Sequence, residues 1–393
     1  MTGMLAPRWR VVAAMFVVTS CIATAVSTFG VFLPVLTDAF GWSRGAVSVA
    51  LSLNLVVGGV VAFGVGRIAD RRGPRAVLAA TVALGALGFA LASRIDALWQ
   101  FYGAYGLFVG VGMSSIYVLT AATVSRWFDA GRGLALAIVL SGFNIGWLTG
   151  GPLAALLVGR FGWRTAYVVL AALVAAIGVP ASLCVRYPRT DRPAGAASRE
   201  RATARGSAFA DARLWYFAGA WGFLGLVFMM LTVHSVSYAR DHGLPLEQAS
   251  LALTAFGIGA VCGRLLAGAA ADRFGAVPTM RVCLLLQCAA LGALLLGLPT
   301  WTVIGTLLVF GLGASGGDNT FVKAVPDAFG LAALATIMSV VGLGWRLGAA
   351  VGPALAGFVY DLTGSYTPSF AFALAALGAG WMLFRLGAAP RRP

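Results

Sequence analysis

Three charged side chains stand where apolar sequence should exclude them. Arg346 lies near the middle of an apolar run from about Leu331 to Tyr360, Arg264 interrupts a second run, and Asp318 falls in GASGGDNTFVK (313–323). A charge at membrane depth costs at least roughly 2.5–3.5 kcal/mol on insertion scales, so it normally has a partner and a task. A guanidinium offers a planar fork of donors that matches a carboxylate with two hydrogen bonds. Two such cations in one polar cavity would hold an organic anion. A carboxylate beside them could take up and release a proton. The bland alternatives are packing arginines bonded to a helix carbonyl or a carboxylate, and an Asp318 that closes a gate with Lys323, five residues on, or with an arginine.

Weaker candidates accompany these. Tyr117 follows Ser114 and Ser115 and could donate to a carboxylate; Asn144 lies between glycines at 142 and 146. Trp147 and Trp345 flank the same kind of stretch, where packing or lipid contact is as natural as lining a site. His234 could titrate near neutral pH. With two histidines, no CxxC pair and no GxxxxGK loop, the sequence predicts no metal site, no cofactor and no ATP-driven step. An enzyme is not expected.

The elements that position these residues are long helices. Hydrophobic residues make up 60% of the 393-residue chain, mean hydropathy is +0.90, and charged residues are only 10%. A soluble domain is about 25% charged. Apolar runs long enough to cross about 30 Å of hydrocarbon recur throughout. The alternating ten-residue segments of a β-barrel do not appear. The fold class is therefore an all-α polytopic membrane protein. Spans are predicted near 11–37, 45–66, 76–94, 98–124, 134–158, 164–185, 214–238, 248–271, 281–298, 301–322, 331–359 and 368–386. Residues 1–186 form an N-terminal six-helix bundle, 187–212 a polar cytoplasmic linker, and 213–393 a C-terminal six-helix bundle. Val18-Thr19-Ser20-Cys21 looks like a lipoprotein cleavage box, but the apolar run continues to Leu36, so it reads as the first spanning helix. The five cysteines fall in apolar runs and read as packing residues.

The net charge of +15 is a topology signal rather than a nucleic-acid signal. With both termini cytoplasmic, 21 of the 28 Lys and Arg residues lie on that side, as the positive-inside rule requires. Arg44, Arg94, Arg160, Arg164 and Arg240 fall outside, and Arg264 and Arg346 within spans. The lipid bilayer is the implied macromolecular partner. Abundant arginine with little lysine suggests a GC-rich bacterial genome, hence a bacterial plasma (inner) membrane.

The two halves repeat with a displacement of 202. GRIADRRG (66–73) returns as GAAADRFG (268–275), and Gly142, Gly146 and Gly150 return as Gly344, Gly348 and Gly352. Glycines four apart share a helix face and permit close backbone approach. At about 100° per residue, Arg346 lies about 200° from Gly344 and points away from that face. Asn144 holds the equivalent place in the first half, so both are expected to face a central cavity.

On these motifs the chain resembles the major facilitator superfamily. GRIADRRGPRAVL is similar to its loop between the second and third helices, with Asp70 as the gate residue and Asp272 as its copy. RWFDAGRGLALAIVLSGFNIGWLTGGPL (126–153), GRLLAGAAADRFG (263–275) and GWRLGAAVGPALAGFVYDLTGSY (344–366) resemble the fifth, eighth and eleventh helices of the monocarboxylate and oxalate/formate transporter families. The resemblance implies a carboxylate held by cations at Arg264 and Arg346, near the midplane between two rocking halves. Two departures stand out. APRWRVV replaces the acidic-glycine motif entering the first helix, and Ala260 stands where animal monocarboxylate carriers have an aspartate four residues before the arginine.

The expected function is secondary active transport of a small organic anion by alternating access, with proton-coupled monocarboxylate symport favoured. Arg346, Arg264, Asn144 and Tyr117 are the substrate-binding candidates. Asp318, Asp70 and Asp272 are the proton-coupling or gating candidates. The partners are a carboxylate and H+, with a monomer as functional unit. The alternatives are carboxylate exchange of the oxalate/formate type, drug export, and a non-transporting membrane receptor.

Overall fold

The computed structural model describes residues 6–128, 132–188, 211–297, 299, 301–329 and 334–389. Most of the expected linker, 189–210, lies outside the described residues. Among those described there is no strand. Among the described residues, ten runs are long and apolar enough to cross a membrane. One of them, Leu134–Leu183, bends at Gly162 (φ 77°) and counts as two rods. Thr302–Phe329, less apolar and carrying Asp318, Lys323 and Asp327, is not one of these ten and is a twelfth long rod among the described residues.

In chain order, α1 runs Ala6–Ser27 and resumes as Phe29–Phe40; α2 is Arg44–Arg72 and α3 Pro74–Ala92. α4 comprises Leu98–Phe101, a π-helical stretch Tyr102–Val109, and Gly110–Trp127. α5 (132–161) and α6 (163–183) meet at Gly162. The second set is α7 Ala212–Asp241, α8 Leu246–Phe274, α9 Ala276–Leu295, α10 Thr302–Phe329, α11 Leu334–Thr363 and α12 Thr367–Gly387. Two compact units emerge. One holds the described part of Met1–Arg189 with Pro245–Thr254, and the other the described part of Thr190–Leu244 with Ala255–Pro393.

The repeat seen in the motifs extends to the turns. Gly41, Gly73 and Gly162 have positive φ, and so do Gly243, Gly275 and Gly364, each 202 residues later. Positive φ strains any residue with a Cβ. At Gly73 and Gly275 the turn separates a helix ending in Asp and Arg residues from the next. The shared backbone conformation explains why both copies of the loop motif end in glycine.

Packing inside each unit follows the glycine stripes. In the first, a Cβ at Gly142 would lie 3.1 Å from the Phe16 carbonyl oxygen, and one at Gly150 2.7 Å from that of Thr24. In the second, a Cβ at Gly344 or Gly352 would strike the carbonyl oxygens of Ala218 and Leu226. These partners are again 202 apart. α5 thus seats on α1, and α11 on α7. Lipid tails give no hydrophobic drive between helices, so close van der Waals contact and hydrogen bonds hold such seams. The α1–α5 seam adds hydroxyl bonds: Ser27 Oγ donates to the Gly146 carbonyl at 2.7 Å. Phe63, Leu265 and Leu362 stand exposed on helix surfaces, as contact with lipid requires.

Candidate functional site

The intramembrane charges lie in the second unit. There α8 and α10 approach backbone to backbone. A Cβ at Gly259 or Gly263 would strike the carbonyl oxygens of Leu308 and Leu312, and one at Gly311 that of Phe256. Glycine on both helices permits this approach. It brings Arg264, next to Gly263, to the Asp318–Asn319 turn of α10. Asn319 Nδ2 donates to the Arg264 carbonyl oxygen at 3.1 Å. The α8 backbone is thereby fixed one residue from the glycine contact.

Asp318 is half-buried and bonded from a third helix. Trp221 Nε1 of α7 donates to Asp318 Oδ1 at 2.9 Å. The indole lies stacked on Phe321, with centroids 5.1 Å apart. The bond from Asn319, the chain neighbour of Asp318, sets Arg264 beside this turn across the α8–α10 contact. Yet no ion pair joins the two among the described residues, and Arg264 Nε is buried without a hydrogen-bond partner there. A gate pair of Asp318 with Lys323, the bland reading of the sequence, does not form: Lys323 Nζ bonds Asp272 Oδ1 instead.

Arg346 is half-buried on α11. Because Gly344, Gly348 and Gly352 face α7, helical geometry turns Arg346 away from that seam. Trp345 belongs to the seam: its indole meets Gly225 of α7, and its ring is 6.0 Å from Phe228. His234 is fully buried, with Nε2 2.8 Å from the Pro353 carbonyl oxygen and Nδ1 3.0 Å from the Tyr366 hydroxyl. A carbonyl only accepts, so Nε2 carries a proton. These bonds build His234 into the α7–α11 packing.

The first unit contributes Asn144 and Tyr117. Asn144 is only 8% exposed on α5, whereas Tyr117 of α4 is 47% exposed. Tyr117 stacks on Phe143, the neighbour of Asn144, with centroids 4.8 Å apart and planes 14° from parallel. The stack joins α4 to α5 at the chain neighbour of Asn144.

Asp70 and Asp272 end the second helix of their respective sets, and each pairs with a cation from the fourth helix of the same set. Arg126 of α4 reaches Asp70 at 2.8 Å and lies over the Tyr187 ring at 3.8 Å; Lys323 of α10 reaches Asp272. Tyr187 lies beyond the end of α6. Burial pushes its phenol above the ordinary value, and the Arg126 charge pulls it back. Trp221 and Asn319 are the site residues that sequence reasoning missed. An indole in a glycine-rich aromatic stretch, GAWGFLG (219–225), signals packing rather than chemistry.

Comparison with known proteins agrees with this architecture. The sequence model described as Major Facilitator Superfamily matches residues 15–247 and 233–393. The chain is similar to Monocarboxylate transporter 11 of Homo sapiens, 28% identical over 92% of this chain and 79% of that one. It is 27% identical to Monocarboxylate transporter 13 of Rattus norvegicus, over 95% and 87% of the two chains. The 4-hydroxybenzoate transporter PcaK of Pseudomonas putida is 28% identical over 87% of this chain and 82% of its own length. Among solved structures, a bacterial homolog of the human lysosomal transporter Spinster, inward-facing and unoccupied, has a TM-score of 0.74 at 16% identity, covering 98% of this chain and 96% of its own. That likeness concerns the fold alone.

Proposed function

The chain belongs to the Major Facilitator Superfamily, and from that premise we propose that it is a proton-coupled carrier of small monocarboxylates, working by alternating access in a bacterial inner membrane with both termini cytoplasmic. The observation that carries this reading is the Arg264 guanidinium. It sits in a glycine-built contact between α8 and α10, with Nε buried and unbonded among the described residues, and a half-buried carboxylate close by. A guanidinium with an open donor is a binding group for a carboxylate. Arg346 is the second cation for the substrate, and Asn144 and Tyr117 are further binding groups. Asp318 is the proton carrier. Asp70 and Asp272, each held by a cation, are gate residues. The named substrates of two kinds of relative, monocarboxylates and 4-hydroxybenzoate, are carboxylates and support the class.

The test is uptake of labelled L-lactate and 4-hydroxybenzoate into proteoliposomes, with and without an imposed inward proton gradient. Flux above plain liposomes that rises with the gradient is expected. Flux that ignores the gradient but requires an anion loaded inside would favour exchange, the reading supported by Ala260 at the position where an α8 acid would stand. No flux of either anion, by either drive, would reject the reading.

A further inference from the structure

The Asp318 carboxylate has a cation within electrostatic reach, yet its hydrogen bond comes from a neutral donor, the Trp221 indole. In a medium of low dielectric, opposite charges attract strongly enough to close on each other unless geometry prevents it. Here geometry holds. The indole is clamped by its stack on Phe321. Its chain neighbour Gly222 packs against the Gly344 carbonyl, where a Cβ would lie 3.1 Å away. Indole N–H is a donor only and does not titrate. It therefore serves an ionised carboxylate without neutralising it and without occupying Arg264.

We propose that Trp221 is a positioning residue for the proton step. Its N–H fixes the ionised Asp318 carboxylate beside Arg264 but not on it, and so sets the pH at which Asp318 takes up a proton while Arg264 stays open to the substrate. The inference rests on the reading of Asp318 as proton carrier. The groups that face Asp318 from the packed helices are Trp221 of α7 and Arg264 of α8. α9 brings Cys283 against Gly316 of the same helix, and α11 carries Arg346. Lys323, on the next turn, is engaged by Asp272.

A substrate is not needed to test this. Dicyclohexylcarbodiimide modifies protonated carboxyl groups in apolar surroundings. Its rate of attachment to Asp318, followed by mass spectrometry on the purified full-length chain across pH, reports the midpoint of protonation. Trp221→Phe keeps a smaller aromatic ring against Phe321 and removes the N–H donor. A hydrogen bond to the charged form favours that form, so its loss moves the midpoint alkaline, by about one pH unit. A midpoint that is unchanged, or that moves acidic, overturns the proposal. If Trp221→Phe does not fold, Phe321→Leu loosens the indole without deleting its donor, and a smaller alkaline shift is expected; no shift overturns the proposal equally. The reading of Asp318 fails separately, through an Asp318→Asn variant whose uptake keeps its pH dependence, whatever the labelling shows about Trp221.

Discussion

Gly348 of α11 rests directly on the carbonyl oxygen of Gly222 of α7. No side chain fits there, and the two backbones form the tightest part of the seam. On the same helix, Gly342 has nothing within 4 Å of a Cβ position. The two glycines therefore predict opposite outcomes for the same substitution. Gly348→Ala forces the helices apart and costs about 1–3 kcal/mol or more, the usual range for overpacking. Gly342→Ala gains helix propensity, up to about 1 kcal/mol. Thermal unfolding of the two variants in detergent should show a clear fall in Tm for the first and an equal or higher Tm for the second.

That seam was legible in the sequence because glycines four apart can do little else in a spanning helix, and because the same spacing recurs 202 residues earlier. The turns were partly legible: Gly73 and Gly275 closed a repeated motif, while Gly41 and Gly243 carried no motif yet share a conformation. The site was less so. Arg264 and Arg346 stood out by type alone, since an arginine in an apolar run is conspicuous. The partner of Asp318 did not. Spacing suggested Lys323, but residues five apart on a helix lie about 140° away from each other. Lys323 is instead taken by Asp272 across the gap between α8 and α10. The true partner, Trp221, is about a hundred residues away, and its chemistry is a single N–H on a side chain that otherwise reads as packing.

The two arginines predict different substitution patterns. Arg264 is confined by the glycine contact, with Asn319 on its own carbonyl. Arg264→Lys keeps the charge but loses the fork, and a site that uses both donors should lose transport by a factor of about ten or more, as a lost charge-assisted hydrogen bond implies. Arg346→Ala should abolish carboxylate uptake while the protein remains folded. Uptake kinetics in proteoliposomes check both. Wild-type kinetics in Arg264→Lys would make that residue structural, and normal uptake in Arg346→Ala would remove it from the site.

Asp70 and Arg126 form a bridge whose side chains are 59% and 43% exposed. Such a pair contributes only about 0–1 kcal/mol to stability. Asp70→Asn should leave Tm nearly unchanged. A gate residue makes its contribution to one conformational state, so the same variant should alter the rate of transport. Reversing the pair, with Asp70→Arg and Arg126→Asp together, should recover part of the lost rate. Equal rates in the wild type and Asp70→Asn would leave the bridge as surface decoration.

A variant at Asp318 tests symport against exchange. In a symporter the loaded carrier needs the proton, so uptake rises as external pH falls, and the rise reflects the neutral form of the carboxyl. Asparagine resembles that neutral form and cannot release a proton. Asp318→Asn should therefore bind carboxylate at every pH, lose its response to an imposed proton gradient, and still exchange labelled for unlabelled anion, because exchange does not require the empty carrier to return deprotonated. Trp221 keeps a carbonyl acceptor in this variant if the amide oxygen takes the place of Oδ1, so the fold around the stack on Phe321 should survive. Parallel assays of gradient-driven uptake and of exchange in the same vesicles decide the matter. Loss of the first with survival of the second assigns the proton to Asp318; loss of both returns Asp318 to the architecture of α7, α8 and α10, and survival of both moves the proton elsewhere.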